Sequence, residues 1–249
     1  MPSRSRMPRM NDRLADNLER VTTEIAAACA RAGRSPCDVT LVAVTKYAEL
    51  PWVRRLVELG VHNLAESRPQ QLVERAEQFP SDIRWHLIGH LQRNKVKQVL
   101  PRAAVVHSVD SLRLLERIGE VAVDLSLRPR VLLEVNVSGE SAKDGLSVTE
   151  LTSQWDALQA VPNVDLVGLM TMAPLVDDPE AARPVFRELR QLRDNLAARA
   201  APHVQLTELS MGMSGDFAVA IEEGATLVRI GSRLFEGLED GHSCPSLPA

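Results

Sequence analysis

Cysteine is scarce in this chain of 249 residues, and the three present, Cys29, Cys37 and Cys244, show no CxxC spacing. That excludes a disulfide framework and a thiolate zinc site, and it points to a reducing compartment. Long apolar runs are missing as well: nothing approaches the roughly eighteen residues that a membrane-spanning helix needs. The opening stretch MPSRSRMPRM is basic and broken by proline, with no apolar segment behind it of the kind a secretory signal requires. The expected location is cytoplasmic. Charge of one sign is lacking too, since 29 Lys and Arg against 33 Asp and Glu give a formal net charge of -4. Nucleic acid and other polyanions are therefore poor partners, and no membrane partner is expected. Finally, no GxGxxG follows the first apolar strand, which removes the usual signature of a doubly wound dinucleotide fold.

What is present is a repeating alternation of short apolar runs and amphipathic stretches. Apolar residues at Leu14, Leu18, Val21, Ile25 and Cys29 predict a helix from Met10 that Gly33 stops. VTLVAVTKY, from Val39 to Tyr47, then reads as a strand buried on both faces. Further strands are predicted at 61–65, 85–88, 104–106, 130–137, 164–170, 206–209 and 227–230, with helices at 49–59, 67–79, 91–100, 111–125, 148–160, 180–200 and 215–223. Ser111 is a candidate N-cap, and Gly231 is expected to open a last helix. Eight strand–helix units without a linker predict a single (β/α)8 TIM barrel with an additional N-terminal helix. The expected division is a basic arm over 1–9, the barrel over 10–238 and a tail over 239–249.

In such a fold ligands sit at the carboxyl ends of the strands. Lys46 ends the first strand there, and a desolvated lysine can attack a carbonyl to form a Schiff base; the plain alternative is an amine that snorkels to water. LSMGMSGDF (209–217) and VRIGSRLFEG (228–237) each leave a strand through glycine and serine, as phosphate-binding loops of barrels do. Ser214, Gly231 and Ser232 are the candidate phosphate ligands, unless the serines only cap their helices. Arg229, beside the first strand once the barrel closes, shares the rim with Lys46. A lysine, a phosphate cradle and a cation on one rim fit pyridoxal 5'-phosphate, with Arg229 at the ring nitrogen. Arginine cannot accept a proton and would leave that nitrogen unprotonated, a weaker electron sink than an Asp-paired ring; a structural or phosphate-binding arginine is the alternative.

With LVAVTK, WHLIGHLQRNK, HSVDS, EVNVSGESAKDGL, GLMTMAP, LSMGMSGDF and VRIGSRLF in view, the chain resembles the pyridoxal phosphate homeostasis protein family, single-domain relatives of the alanine racemase barrel. The resemblance runs from about Leu41 to Gly237. It implies the cofactor on Lys46, Arg229 near the ring nitrogen, Ser214, Gly231 and Ser232 around the phosphate, and Ser210 and Met211 lining the pocket. Where the family usually shows GEN, this chain has Ala65-Glu66-Ser67, so the contact of that asparagine falls to Ser67. The implied role is to hold, shield and supply this vitamin B6 cofactor, with pyridoxal-phosphate-dependent apoenzymes as recipients and no established catalysis. Monomer and weak dimer both remain open.

The alternative is an amino-acid racemase or related fold-type III enzyme, which needs a second acid/base across from Lys46. Tyr47 is the sole tyrosine and, as the strand neighbour of Lys46, is expected to point away from it; no second domain is expected beyond the last helix. A sugar-phosphate enzyme working through Lys46 would use the same loops. His86 and His90 have the i, i+4 spacing of a metal pair without an evident third ligand. Arg93, Lys95 and Lys97 form a basic face, Lys143 is a possible second cofactor contact, and Met170, Met172, Met211 and Met213 are expected to pack the barrel mouth.

Overall fold

The computed structural model describes residues 10–140 and 144–238; the proposed arm and tail, Lys143 and Cys244 lie outside the described residues. Its centre is a closed parallel barrel. The strands are β1 (Thr40–Val44), β2 (Asn63–Glu66), β3 (Arg84–Leu87), β4 (Ala103–Val109), β5 (Arg130–Asn136), β6 (Asp165–Met170), β7 (Glu208–Ser210) and β8 (Leu227–Ile230). Each pairs in parallel with the next, and β8 pairs with β1, with Val42 opposite Arg229 and Ala43 opposite Ile230. A two-residue strand, Leu146–Ser147, adds to the outer end of β5.

Helices fill the connections: α1 (Met10–Arg31) precedes the barrel, followed by α2 (Leu50–Glu58), α3 (Pro69–Ala76), α4 (Val96–Val99) and α5 (Leu112–Leu125). After β5 come α6 (Val148–Ser153) and α7 (Trp155–Gln159), then α8 (Arg183–Ala197) and α9 (Phe217–Glu222). The local signals work as the sequence predicts in several places. Ser111 accepts from the Leu114 N–H at the start of α5, and Ser147 with Glu150 forms a capping box on α6.

Strand alternation sorts side chains into two cores. Leu56, Leu87, Ile118, Trp155 and Phe186 fill the shell between strands and helices, which carries most of the buried apolar surface. The barrel interior holds Val42, Ala65, Val105, Leu132, Met170 and Leu227. Buried polar side chains, His86, His107, Ser210 and Arg229, share that interior and build the site.

Three predicted helices differ from the observed ones. Residues 91–100 form a 3-10 turn, Arg93–Lys95, and the one-turn α4 rather than one basic helix. The helix predicted over 148–160 breaks at Gln154, and the turn there sends Trp155 and Leu158 into the core. After β8 the chain makes consecutive turns in place of a helix. The cause is α1: Asn17 Nδ2 donates to the Leu234 and Glu236 carbonyls at 2.9 and 3.0 Å, and Arg13 Nε donates to the Glu236 carbonyl. Carbonyls engaged by another element cannot serve a helical ladder.

Asn17 is fully buried, so its truncation leaves the Leu234 carbonyl without its donor and the Glu236 carbonyl with Arg13 alone. Asn17→Ala is expected to lower unfolding free energy by about 1–3 kcal/mol, read from urea transitions with an unchanged slope. A loss under about 0.5 kcal/mol would mean that α1 is held by its apolar face alone.

Candidate functional site

The rim at the carboxyl ends of the strands is built first around Lys46. β1 ends at Val44, and Lys46 lies in the turn that follows, half-buried, with its carbonyl taking a bond from Gln71 Nε2 at 3.2 Å. Arg75, buried on α3, pins this turn from below. One guanidinium nitrogen donates to the Thr45 carbonyl at 2.8 Å and the other to the Ala48 carbonyl at 2.7 Å. Its charge is met by Glu66 Oε1 at 2.8 Å, which also accepts from the Thr45 hydroxyl. Burial pushes the Glu66 carboxyl up, opposed by the Thr45 hydrogen bond and by Arg75, and Glu66 Oε2 meets no partner among the described residues. The turn is thus held by a buried ion pair together with the Thr45 N–H, which donates to the Ala65 carbonyl of β2 at 2.9 Å, and the backbone of Lys46 is fixed while its amine stays at the rim.

Strand alternation does not extend to residues 46 and 47, because both lie beyond the strand. Tyr47 therefore does not point away from Lys46: the Lys46 Nζ sits 5.1 Å from the centre of its ring. The ring is 77% exposed.

The two glycine–serine loops meet beside this turn. Ser214 Oγ accepts from the Gly231 N–H at 3.2 Å, joining the loop after β7 to the loop after β8. Gly231 lies against β1, where an added Cβ would come within 3.2 Å of the Val44 carbonyl oxygen. Gly212, at φ +91°, packs so closely on α9 that a Cβ would lie 2.6 Å from that of Ala220. The N–H groups of Ser214, Gly215, Ser232 and Arg233 meet no acceptor among the described residues. Two joined loops with unspent amides are a candidate cradle for an anion.

Arg229 lies inside the barrel, 4% exposed, and donates to Ser210 Oγ at 2.6 Å and to the Thr171 carbonyl at 2.9 Å. Burial lowers its guanidinium to about 10, offset in part by Glu134 and Asp216, so it stays charged at neutral pH. From Ser210 the contacts continue across the interior: Ser210 Oγ to His107 Nδ1 at 2.8 Å, His107 Nε2 to His86 Nδ1 at 2.8 Å, and His86 Nε2 to Asn63 Oδ1 at 3.2 Å. Burial drives both imidazoles to the neutral form, His86 to about 3 and His107 well below its usual value. Glu134, on β5, is raised to about 7 by burial first and by Asp144 second, with Arg229 working against the shift.

Ser210 is thus a buried partner of Arg229, whereas Met211 packs in the shell between barrel and helices. Ser232 is exposed, and Ser67 presents its carbonyl so closely to Gly89 that a Cβ there would lie 2.2 Å from it. His86 and His90 do not meet. His86 turns into the barrel, and exposed His90 pairs with Asp110 at 3.1 Å, because β3 ends at Leu87 and helical spacing does not apply. Among the described residues no group of three His, Cys, Asp or Glu is placed to hold a metal ion. Met172 is exposed, unlike the buried Met170 and Met211. Sequence reasoning did not single out Glu66, Arg75, His107 or Glu134; the available signal was a polar residue inside an apolar β run, as in AVVHSV and VLLEVN.

The closed parallel barrel and its lysine turn agree with the comparison to known families: the family model described as alanine racemase, N-terminal domain, matches residues 16–238. The pyridoxal phosphate homeostasis protein of Aquifex aeolicus is 41% identical over 221 residues, spanning 88% of this chain and 96% of that protein. An unknown protein from Bifidobacterium adolescentis has a crystal structure that superposes with a TM-score of 0.86 at 35% identity, covering 94% of this chain and 98% of that one. PipY of Synechococcus elongatus PCC7942, solved with PLP bound, gives 0.74 at 32% identity, covering 85% and 99%. The chain belongs to the pyridoxal phosphate homeostasis protein family.

The raised Glu134 carboxyl gives a pH signature. A carboxyl protonated more readily in the folded than in the unfolded chain stabilises the fold below its unfolded value, and that contribution is lost as pH rises through about 7. Between pH 5 and 8, wild-type stability should therefore fall relative to Glu134→Gln, by roughly 3 kcal/mol at most, in paired urea titrations. Parallel pH profiles for the two proteins would remove the protonated Glu134 from the account.

Proposed function

We propose that this chain binds pyridoxal 5'-phosphate reversibly on Lys46 and buffers or supplies it to pyridoxal-phosphate-dependent apoenzymes. The observation that carries this reading is the convergence on one rim of the unspent loop amides, the Ser214–Gly231 tie and the buried Arg229 beside the Lys46 turn. The residues fit the group. The cradle suits a phosphate, and a lone cation held by Ser210 and Thr171 suits a ring nitrogen that carries no proton. When bound, the cofactor supplies an aldehyde with which the Lys46 amine can condense with loss of water. Ser214 and Gly231 would hold the phosphate, with Ser232 at the exposed end of the cradle, Ser210 would orient Arg229, and Arg75 would hold the Lys46 turn. Ser67 and Met211 would act through backbone and packing, given where their side chains lie.

A carrier without catalysis is favoured over a racemase or related enzyme. The only tyrosine is exposed and sits against Lys46 itself, so it does not supply a second acid/base on the opposite face. Among the described residues no helix is long and apolar enough to cross a membrane. The expected outcome with added pyridoxal phosphate is a lysine-linked absorbance band in the wild type. Lys46→Ala should lack that band while keeping a native circular dichroism spectrum, Arg229→Gln should shift it and weaken binding, and L-alanine should not be racemised. A band retained in Lys46→Ala, or an unaltered Arg229→Gln, would contradict the assigned roles; turnover of L-alanine would contradict the carrier reading.

A further inference from the structure

The opposite end of the barrel holds a cavity of about 220 Å³ lined by the first residues of the strands, among them Thr40, Asn63, Arg84, Arg130 and Glu208, with His86 as its roof. That volume equals roughly seven water molecules, enough for a small ligand. One wall is already satisfied: Arg130 pairs with Glu208 at 3.0 Å, and Glu208 also accepts from Thr226. On the other wall, Arg84, which is exposed, the Thr40 hydroxyl and the Asn63 amide nitrogen meet no acceptor among the described residues, and Arg84 has no ion-pair partner among them; the hydroxyl can donate or accept, whereas the guanidinium and the amide nitrogen can only donate. A pocket with a spare cation and two neutral donors facing one space calls for an acceptor that carries negative charge.

The same asparagine begins the file that ends on Arg229. With Asn63 Oδ1 toward His86, the donors run in one direction: His86 Nε2–H to Asn63, His107 Nε2–H to His86 Nδ1, and the Ser210 hydroxyl to His107 Nδ1. The Ser210 lone pairs then face Arg229. If the Asn63 amide turns over, every bond reverses and the Ser210 oxygen accepts from both His107 and Arg229. Both arrangements keep the imidazoles neutral, but in the second the Ser210 hydroxyl proton meets no acceptor among the described residues; the first is the fully bonded one, and a ligand that takes the Asn63 N–H donors favours it further.

We propose that the floor of the barrel is a second binding site, for a small carboxylate held by Thr40, Asn63 and Arg84, and that the His86–His107–Ser210 file couples its occupancy to Arg229. The binding half is independent of the cofactor; the coupling half rests on the proposed function. Acetate is the probe, titrated against chloride at constant ionic strength with nitrogen-15 imidazole resonances recorded. The expected result is a saturable shift that fixes His86 as the Nε2–H tautomer, weakened about tenfold or more by Arg84→Ala and only a few-fold by Arg84→Lys. Absence of saturation, or the same shift in Arg84→Ala, would overturn the site. Acetate should also change pyridoxal phosphate affinity at least about twofold in the wild type and not in Arg84→Ala. An affinity that ignores acetate would overturn the coupling. If the cofactor binds neither protein, the proposed function fails, and the His86 resonance still decides the floor site.

Discussion

A guanidinium inside a closed barrel is the constraint on which the rest of this structure depends. Taking the Arg229 charge out of water costs several kcal/mol, and that cost must be offset by hydrogen bonds to charge, worth about 1.5–3 kcal/mol each. Two such bonds, to Ser210 and Thr171, supply much of the compensation, and the Glu134 and Asp216 carboxyls add longer-range attraction. Ser210 can sit there only because the interior is lined by small groups such as Ala65 and Val105, which leave a passage for two imidazoles. The polar file is thus a property of the interior packing as much as of any single residue.

The Lys46 turn obeys the same rule on the other side of the rim. Its Ala48 carbonyl takes its donor from Arg75, and the Thr45 carbonyl, which already accepts from the Ala48 N–H, takes a second from the same guanidinium. Arg75 in turn is tolerable because the Glu66 carboxyl accepts from it at 2.8 Å. The rim is therefore held by two buried charges, one anchoring the turn and one facing the cradle.

Much of the barrel was legible because its strands are continuous apolar runs with helical stretches between them; β8 at Leu227–Ile230 and β5 at Arg130–Asn136 stand out for that reason. Lys46, Ser214, Arg229 and Gly231 could be placed at the strand ends from sequence, because a charged residue or a Gly–Ser pair closing an apolar run marks where the strand stops. The segments that failed were those decided by distant contacts. The turns after Gly231 depend on Asn17, more than two hundred residues away, and the break at Gln154 depends on where Trp155 can be buried. His86 and His107 could not be paired from spacing, since strand register and not separation brings them together. Tyr47 was misdirected because strand alternation was carried past the last strand residue, Val44.

The most direct test of the account is to load the chain with pyridoxal phosphate, reduce it with borohydride and map the modified peptide. The account predicts label on Lys46 alone, since Arg75 and Gln71 hold that turn beside the cradle. Label on another lysine, or none, would contradict it.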